Sequence, residues 1–246
     1  MMRTLLIDGD IALYEVCTTC EAATDWGDDL WTLHCDLKEA RQKFDGWVAR
    51  VLQKTDAKKA VIALSGMNNW RKGILPSYKH NRKPKRKPLA FKPLKEYVRD
   101  TYKTFEFDNL EADDVLGLLA GRLGNLRGEK VIVTIDKDLM TIPGLHYYTN
   151  RPENGIIEVS EEQADFNHLL QSLAGDSTDG YSGCPGIGPV KADRILSEDP
   201  CWDRVVEAYD AVGISEEDAL VQARVARILR WGEYDVTTEE VRLWQP

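Results

Sequence analysis

The 246-residue sequence has no stretch approaching ~18 uninterrupted apolar residues, the length a helix needs to cross a bilayer. Its N-terminus, Met1-Met2-Arg3-Thr4, leads directly into a strand-like run, without the charged, apolar and small-residue succession of an export signal. A cytosolic protein with no membrane span is therefore expected, in a host cell's cytoplasm if the source is viral. An even cysteine framework is also missing. The five cysteines, 17, 20, 35, 184 and 201, cannot all pair, and a cytosolic chain would keep them reduced. Cys17-x-x-Cys20 with His34-Cys35 leaves a tetrahedral zinc site as one reading. The other is that Cys17 and Cys20 lie in a helix after the first strand, where small buried thiols are common. Net positive charge is lacking as well: the formal charge is −9, which taken alone argues against a polyanionic partner.

The distribution of charge reverses that inference. From Arg71 to Arg99 there are eleven Lys or Arg and one acid, Glu96, a local excess of ten positive charges inside an acidic protein. Such density is the footprint of a phosphate-binding segment, with Arg71, Lys72, Lys79, Arg82 and Lys83 as candidate contacts; a solvated basic loop is the plainer alternative. Pro76, Pro84, Pro88 and Pro93 forbid one continuous helix there, so part of the segment is read as an extended excursion.

Hydrophobic residues make up 43% and charged residues 30%, enough apolar mass for one large α/β domain with a small appendage, or two modest domains. Three short apolar runs read as buried strands: Arg3–Ile7, Ala60–Leu64 and Lys130–Ile135. His146–Thr149 and Ile156–Val159 read as shorter strands joined by a turn at Arg151–Gly155. Helical periodicity runs through Asp36–Thr55 and Glu111–Leu123. After about Ser160 the pattern is helical to Trp244, interrupted by Gly183-Cys184-Pro185-Gly186-Ile187-Gly188-Pro189. There is no internal repeat. Strands alternating with helices predict a mostly parallel sheet covered on both faces, whose ligand site lies beyond the carboxyl ends of the strands.

Two of the three main strands end in Asp-x-Asp, at Asp8-Gly9-Asp10 and Asp136-Lys137-Asp138. Glu111, Asp113 and Asp114 open a helix, and Asp176 and Asp179 lie in a later loop. Singly, each could be a solvated turn residue or a helix-terminal acid, stabilising by about 0.3–1 kcal/mol. Glu111 and Asp114, and likewise Asp176 and Asp179, are spaced i, i+3 to share a helix face. A parallel sheet would bring Asp8, Asp136 and the Glu111 helix start to one edge, and the mutual repulsion demands neutralising cations. With no His or Cys beside them, these oxygen donors select magnesium or manganese over zinc. Two such ions ~3.5–4 Å apart suit phosphodiester hydrolysis without a nucleophilic side chain. Basic residues inserted between the second strand and the acidic helix would hang over the strand ends and hold a phosphate backbone. The Gly186-Ile187-Gly188-Pro189 hairpin offers backbone N–H groups at a helix start, with Lys191 adding charge.

These residues resemble the flap endonuclease and 5′-3′ exonuclease superfamily, particularly its stand-alone phage-type members. The pieces that carry the resemblance, from about Leu5 to Ala192, are Ile7-Asp8-Gly9-Asp10, Trp70-Arg71, Tyr78-Lys79-His80-Asn81-Arg82, Glu111-Ala112-Asp113-Asp114, Thr134-Ile135-Asp136-Lys137-Asp138, Gly175-Asp176-Ser177-Thr178-Asp179 and Gly183–Ala192. The resemblance implies a PIN-like 5′-nuclease domain over residues 1–160, with a basic helical arch at about 66–100. It implies a helical DNA-binding region over 161–246 that holds a helix–three-turn–helix. It also implies one metal held through Asp8, Glu111, Asp113 and Asp114 and a second through Asp136, Asp138, Asp176 and Asp179, the ions being Mg2+ with Mn2+ as a substitute. By position Lys79 and Arg82 are the arch residues that reach the scissile phosphate, with Asp136 the third residue assigned to catalysis, and Tyr14 is the aromatic that stacks on a terminal base; core packing is its alternative. The hairpin with Gly186 and Gly188 would grip duplex DNA and hold a K+ ion. One departure stands out: the family usually has Asp at the end of the second strand, where this chain has Ser65. Serine can bind a metal-bound water but brings no charge.

The expected activity is metal-dependent hydrolysis of DNA near 5′ ends or at flaps, by a monomer, with RNA–DNA hybrid as a further substrate. A PIN-type ribonuclease would explain the acids but neither the glycine hairpin nor the basic insertion. A non-catalytic DNA-binding protein finds its support in Ser65. Haloacid-dehalogenase phosphatases share Asp-x-Asp after the first strand but fit the downstream acids poorly.

Overall fold

The computed structural model describes residues 2–82 and 86–246, so Lys83 lies outside the described residues. The chain opens with β1 (Arg3–Asp8) and α1 (Gly9–Cys20), which Asp8 caps by accepting the Ile11 N–H. A hairpin of β2 (Glu21–Asp25) and β3 (Trp31–Cys35) follows, then α2 (Leu37–Lys54), capped by Asp36, and β4 (Lys59–Ser65). The basic segment contains a single-turn helix, α3 (Arg71–Ile74), and a longer one, α4 (Phe91–Thr101). Then come β5 (Thr104–Phe107), α5 (Ala112–Ala120), β6 (Glu129–Thr134), β7 (Gly144–Tyr148) and β8 (Ile156–Val159). The helices α6 (Glu161–Ala174), α7 (Pro189–Leu196), α8 (Trp202–Asp210) and α9 (Glu216–Ala226) precede a small hairpin of β9 (Tyr234–Asp235) and β10 (Glu240–Val241).

The central sheet has the order β5-β4-β1-β6-β7-β8, parallel throughout except for β8, which runs antiparallel to β7. Of its four inner strands, β4, β1 and β6 are apolar on both faces because both faces are covered. Leu5, Ile7, Ile62, Leu64, Val131 and Val133 point toward α1, α2 and α4. Leu6, Val61, Ala63 and Ile132 point toward α5 and the chain around Ile228–Tyr234. A third apolar cluster, with Leu173, Ala192, Leu196, Val205 and Tyr209, lies among α6, α7 and α8. The mixed α/β architecture with a mostly parallel sheet is therefore as expected.

Three differences matter. The hairpin β2–β3 was not foreseen, because all of its residues from Ala22 to His34 are exposed and carry no buried alternation. About half of the basic segment is not an arch: α4 buries Phe91, Leu94 and Val98 in the core, with Pro93 tolerated in the first turn where N–H groups lack helical partners anyway. The chain after Ala226 is not helical. Residues 227–246 instead run back across α5, where Leu229 packs so tightly that a Cβ on Gly117 would lie 2.1 Å from the Leu229 carbonyl oxygen.

Candidate active site

The carboxyl ends of β4, β1 and β6 open into a cleft of about 890 Å³. Asp8 and Asp10 enter it from the β1–α1 junction, Asp136 and Asp138 from the end of β6, and Glu111 and Asp113 from the start of α5. Asp176 and Asp179 reach it from the loop after α6. That loop is a tight turn rather than the helix face their spacing suggests, and the Asp176 carboxylate accepts the Thr178 N–H at 2.6 Å. The turn begins at Gly175, whose φ of +67° and approach to Ser182, 2.4 Å from an added Cβ, leave no room for a side chain.

Crowding is written into the protonation of these groups. Burial, with Asp10 and Asp136 nearby, raises the Asp8 carboxyl to about 7, although the Ile11 N–H and Thr134 hydroxyl oppose the shift. Burial and the fields of Asp8, Glu111 and Asp136 hold Asp113 well above the usual carboxylate range. Burial and Asp136, Asp176 and Asp179 lift Asp138 to about 6. Glu111 differs. Burial pushes it up, but the charges of Arg71 and Lys79 outweigh that and bring it down to about 2.

The basic turn from Pro76 to Arg82 closes over the same cleft. Lys79, at a φ of +57°, donates its backbone N–H to the Asp179 carbonyl at 2.7 Å. Its ammonium pairs with Glu111 and lies 3.4 Å from Asp179, while the Arg82 guanidinium pairs with Asp179. Between them sits Tyr78, buried, its hydroxyl 3.0 Å from Glu111 Oε2 and 2.9 Å from Asp179 Oδ2. Lys72 is exposed on α3. Tyr14 is 48% exposed on α1, free to meet a base rather than packed in the core. Gly186 adopts a φ of +74°, Gly188 precedes α7 with no side-chain cap, and Lys191 lies exposed on that helix.

Two residues expected to face the cleft are buried behind it. Asp114 is fully buried; its carboxylate takes both arms of the Arg71 guanidinium at 2.8 and 2.7 Å, Trp70 Nε1 at 3.0 Å and the Leu229 N–H at 3.2 Å. A carboxylate so occupied has no lone pair directed at the cleft and is no metal ligand. Arg71, only 3% exposed, also donates to the carbonyls of Val225 and Arg227, at 2.9 and 2.6 Å. Its N–H groups are thus taken up by protein acceptors, Glu111 of the cleft among them at 3.4 Å, and the residue braces the site from behind. The i, i+3 spacing of Glu111 and Asp114 misled because Glu111 is the extended cap residue and Asp114 turns inward.

Sequence reasoning missed the groups that hold the acids. The Thr134 hydroxyl donates to Asp8 at 3.1 Å and accepts the Asp136 N–H at 3.1 Å, so one buried group orients two acids from adjacent strands. Gln171 on α6 donates to Asp138 at 2.9 Å. Ser65, at the end of β4, accepts the Ala112 N–H at 2.9 Å. Tyr78 and Thr134 carried a signal only as members of motifs quoted for their neighbours, and Ser65 only as a departure from the family's aspartate.

The donor set suits a hard divalent cation: it is all oxygen, and three of its acids carry raised proton affinities that a cation would relieve. Among the described residues no three of the His, Cys, Asp and Glu side chains are gathered into a ready-made metal cage, at the acids or at the cysteines. Cys17 and Cys20 are buried in α1, and burial with the neighbouring Cys35 and Cys20 pushes the Cys17 thiol up to about 12.

The family model for the N-terminal, resolvase-like domain of 5′-3′ exonucleases matches residues 3–164. The exonuclease of Escherichia phage T7 is 30% identical over 280 aligned positions, spanning 98% of this chain and 93% of that protein. The flap endonuclease Xni of Shewanella halifaxensis is 28% identical over 201 positions, spanning 77% and 79%. In three dimensions the chain is similar to the phage T5 D15 protein co-crystallised with metal ions, at a TM-score of 0.71 and 15% identity over 91% of this chain and 89% of that one. It also resembles the catalytic core of Rad2 in complex with DNA substrate, at a TM-score of 0.53 and 15% identity over 85% and 64%.

Proposed function

The chain belongs to the 5′-3′ exonuclease family and is a 5′-nuclease, a hydrolase of DNA phosphodiesters, and from that premise we propose how its residues divide the work. The observation that carries the proposal is the meeting, in one cleft beyond the strand ends, of eight of the acids singled out in the sequence with the turn Tyr78–Arg82.

Divalent cations, two Mg2+ ions or Mn2+ in their place, are held by Asp8, Glu111 and Asp113 on one side and by Asp136, Asp138, Asp176 and Asp179 on the other. When bound they supply an activated water and neutralise charge on the departing oxygen. Lys79 and Arg82 exchange their carboxylate partners for the scissile phosphate, placing positive charge where the transition state gathers negative charge. Tyr78 holds Glu111 and Asp179 in place while its neighbours move. Tyr14 stacks on the terminal base, a contact of about 1–3 kcal/mol. The Gly186–Gly188 turn and Lys191 hold a duplex phosphate further along, with K+ bound at the carbonyls of that turn.

In this division residues 1–160 form the catalytic part and the helices after Ser160 the DNA-gripping part. The enzyme works as a monomer in the cytoplasm, on DNA with a 5′ end, a flap or a single-stranded tail, and on RNA–DNA hybrid. No helix among the described residues is long and apolar enough to cross a membrane.

The test is cleavage of 5′- and 3′-labelled duplex and flap DNA with magnesium, with chelator, and with Asp136→Asn. Short products released from the 5′ end only with magnesium, and lost in the variant, support the assignment. Equal cleavage by Asp136→Asn would overturn it.

A further inference from the structure

Three neighbouring parallel strands end at the cleft, and their ends are not equivalent. β1 ends in Asp8 and β6 runs on to Asp136, but β4 ends in Ser65. The Ser65 side chain is half-buried and lines the cleft. Its hydroxyl accepts the N–H of Ala112 at 2.9 Å. Ala112 is the first residue of α5, flanked by Glu111 and Asp113, and its N–H is one of those a helix start leaves without a helical acceptor. The same stretch is tied down beside it: Gly66 N–H donates to the Leu110 carbonyl at 2.9 Å, and Lys95 Nζ holds the Ser65 carbonyl at 2.8 Å. A serine hydroxyl has one proton and two lone pairs. One lone pair is used on Ala112, and among the described residues the proton meets no protein acceptor.

We propose that Ser65 is a positioning residue of this cleft: its hydroxyl fixes the start of α5, and so the placement of Glu111 and Asp113, and offers its proton to a phosphate oxygen of the DNA. The inference rests on the nuclease reading above. A carboxylate at this place could still accept the Ala112 N–H, since Asp is as good a helix-start acceptor as Ser. It would add a third strand-end charge, favouring cations and repelling phosphate. A methyl group would do neither job. The hydroxyl therefore sets a balance in which the cleft holds its cations less tightly and its substrate more tightly than an aspartate would allow.

The experiment compares Ser65→Ala, Ser65→Thr and Ser65→Asp with the unsubstituted chain in three measurements. These are Mn2+ affinity by calorimetry without DNA, KM and kcat on a 5′-labelled duplex with Mg2+, and the melting temperature. Losing one hydrogen bond of ordinary strength changes an equilibrium by about two- to twelvefold. Ser65→Ala is expected to weaken Mn2+ binding and raise KM, each within that range. Ser65→Thr restores both, and Ser65→Asp tightens Mn2+ binding while raising KM. If Ser65→Ala lowers only the melting temperature, or Ser65→Asp binds Mn2+ no more tightly, the proposal is overturned. The calorimetry needs no turnover, so it separates this outcome from failure of the nuclease reading, which would appear as absent cleavage by the unsubstituted chain.

Discussion

The cleft and the joint behind it are built from the same chemistry, carboxylates facing cations, yet they behave as opposites. In the cleft, Lys79 lies on Glu111 and Arg82 on Asp179, with Arg82 half-exposed and Lys79 partly reached by water. In the joint, Arg71 and Asp114 are 3% and 0% exposed, and every direction around them is filled by a hydrogen bond. Arg227, also buried, pairs with Glu233 a few residues away. Asp113 and Asp114 are adjacent in sequence, and one faces the cleft while the other faces the joint. What separates a working charge from a structural one is whether its partners are complete and whether water can replace them.

The comparison can be broken first at the joint. Asp114→Asn leaves Arg71 charged and buried without its main partner, and a stability loss of about 3–5 kcal/mol is expected, read from chemical denaturation. The opposite signature is expected in the cleft. Asp136→Asn removes repulsion among acids and should hold or raise the melting temperature in chelator, while kcat with magnesium falls about a hundred- to a thousandfold. If both variants lost stability equally, the division between cleft and joint would be wrong.

A smaller effect is expected from the exchangeable cations. Lys79→Ala should lower kcat about ten- to a hundredfold with little change in melting temperature, because its loss leaves Glu111 paired with Arg71 and Tyr78. Arg82→Ala should reduce the salt slope of duplex binding by about one unit, measured by titration across ionic strengths.

The pH dependence tests the same idea most gently. Asp8 at about 7 and Asp138 at about 6 hold protons in the folded chain that unfolded aspartates release near their ordinary 3.8. The native state thus binds more protons, and stability in chelator should fall as pH rises from about 4 to about 7. Glu111, lowered to about 2, acts oppositely, but only below its ordinary 4.5. Melting curves against pH in chelator should show that decline, and magnesium should flatten it.

Much of the architecture was legible. Runs such as Lys130–Ile135 can only be strands covered on both faces, and Asp36–Thr55 carries its helical period and its cap. The acids at the strand ends were legible too, because parallel topology brings such ends together. The hairpin Glu21–Cys35 was not, since nothing buries it and alternation is a signal of burial. Asp114 and Arg71 were misplaced for a different reason. Which of two adjacent acids turns inward depends on Val225–Leu229, more than a hundred residues away, and no local pattern reports that. Gln171 was silent, and Thr134 appeared only inside a motif quoted for its acids, because a neutral hydroxyl or amide carries no charge pattern to notice.

The return of residues 227–246 across α5 has a consequence for how the molecule comes into being. A chain emerging from the ribosome makes both Arg71 and Asp114 long before the carbonyls of Val225 and Arg227 and the N–H of Leu229 exist. Until that late stretch is synthesised, the guanidinium and the carboxylate lack part of the cage that seats them, although α5 can already pack on the sheet through Val115, Leu116 and Leu119. The order of synthesis therefore completes this cage only once Leu229 has been made, later than every acid of the cleft.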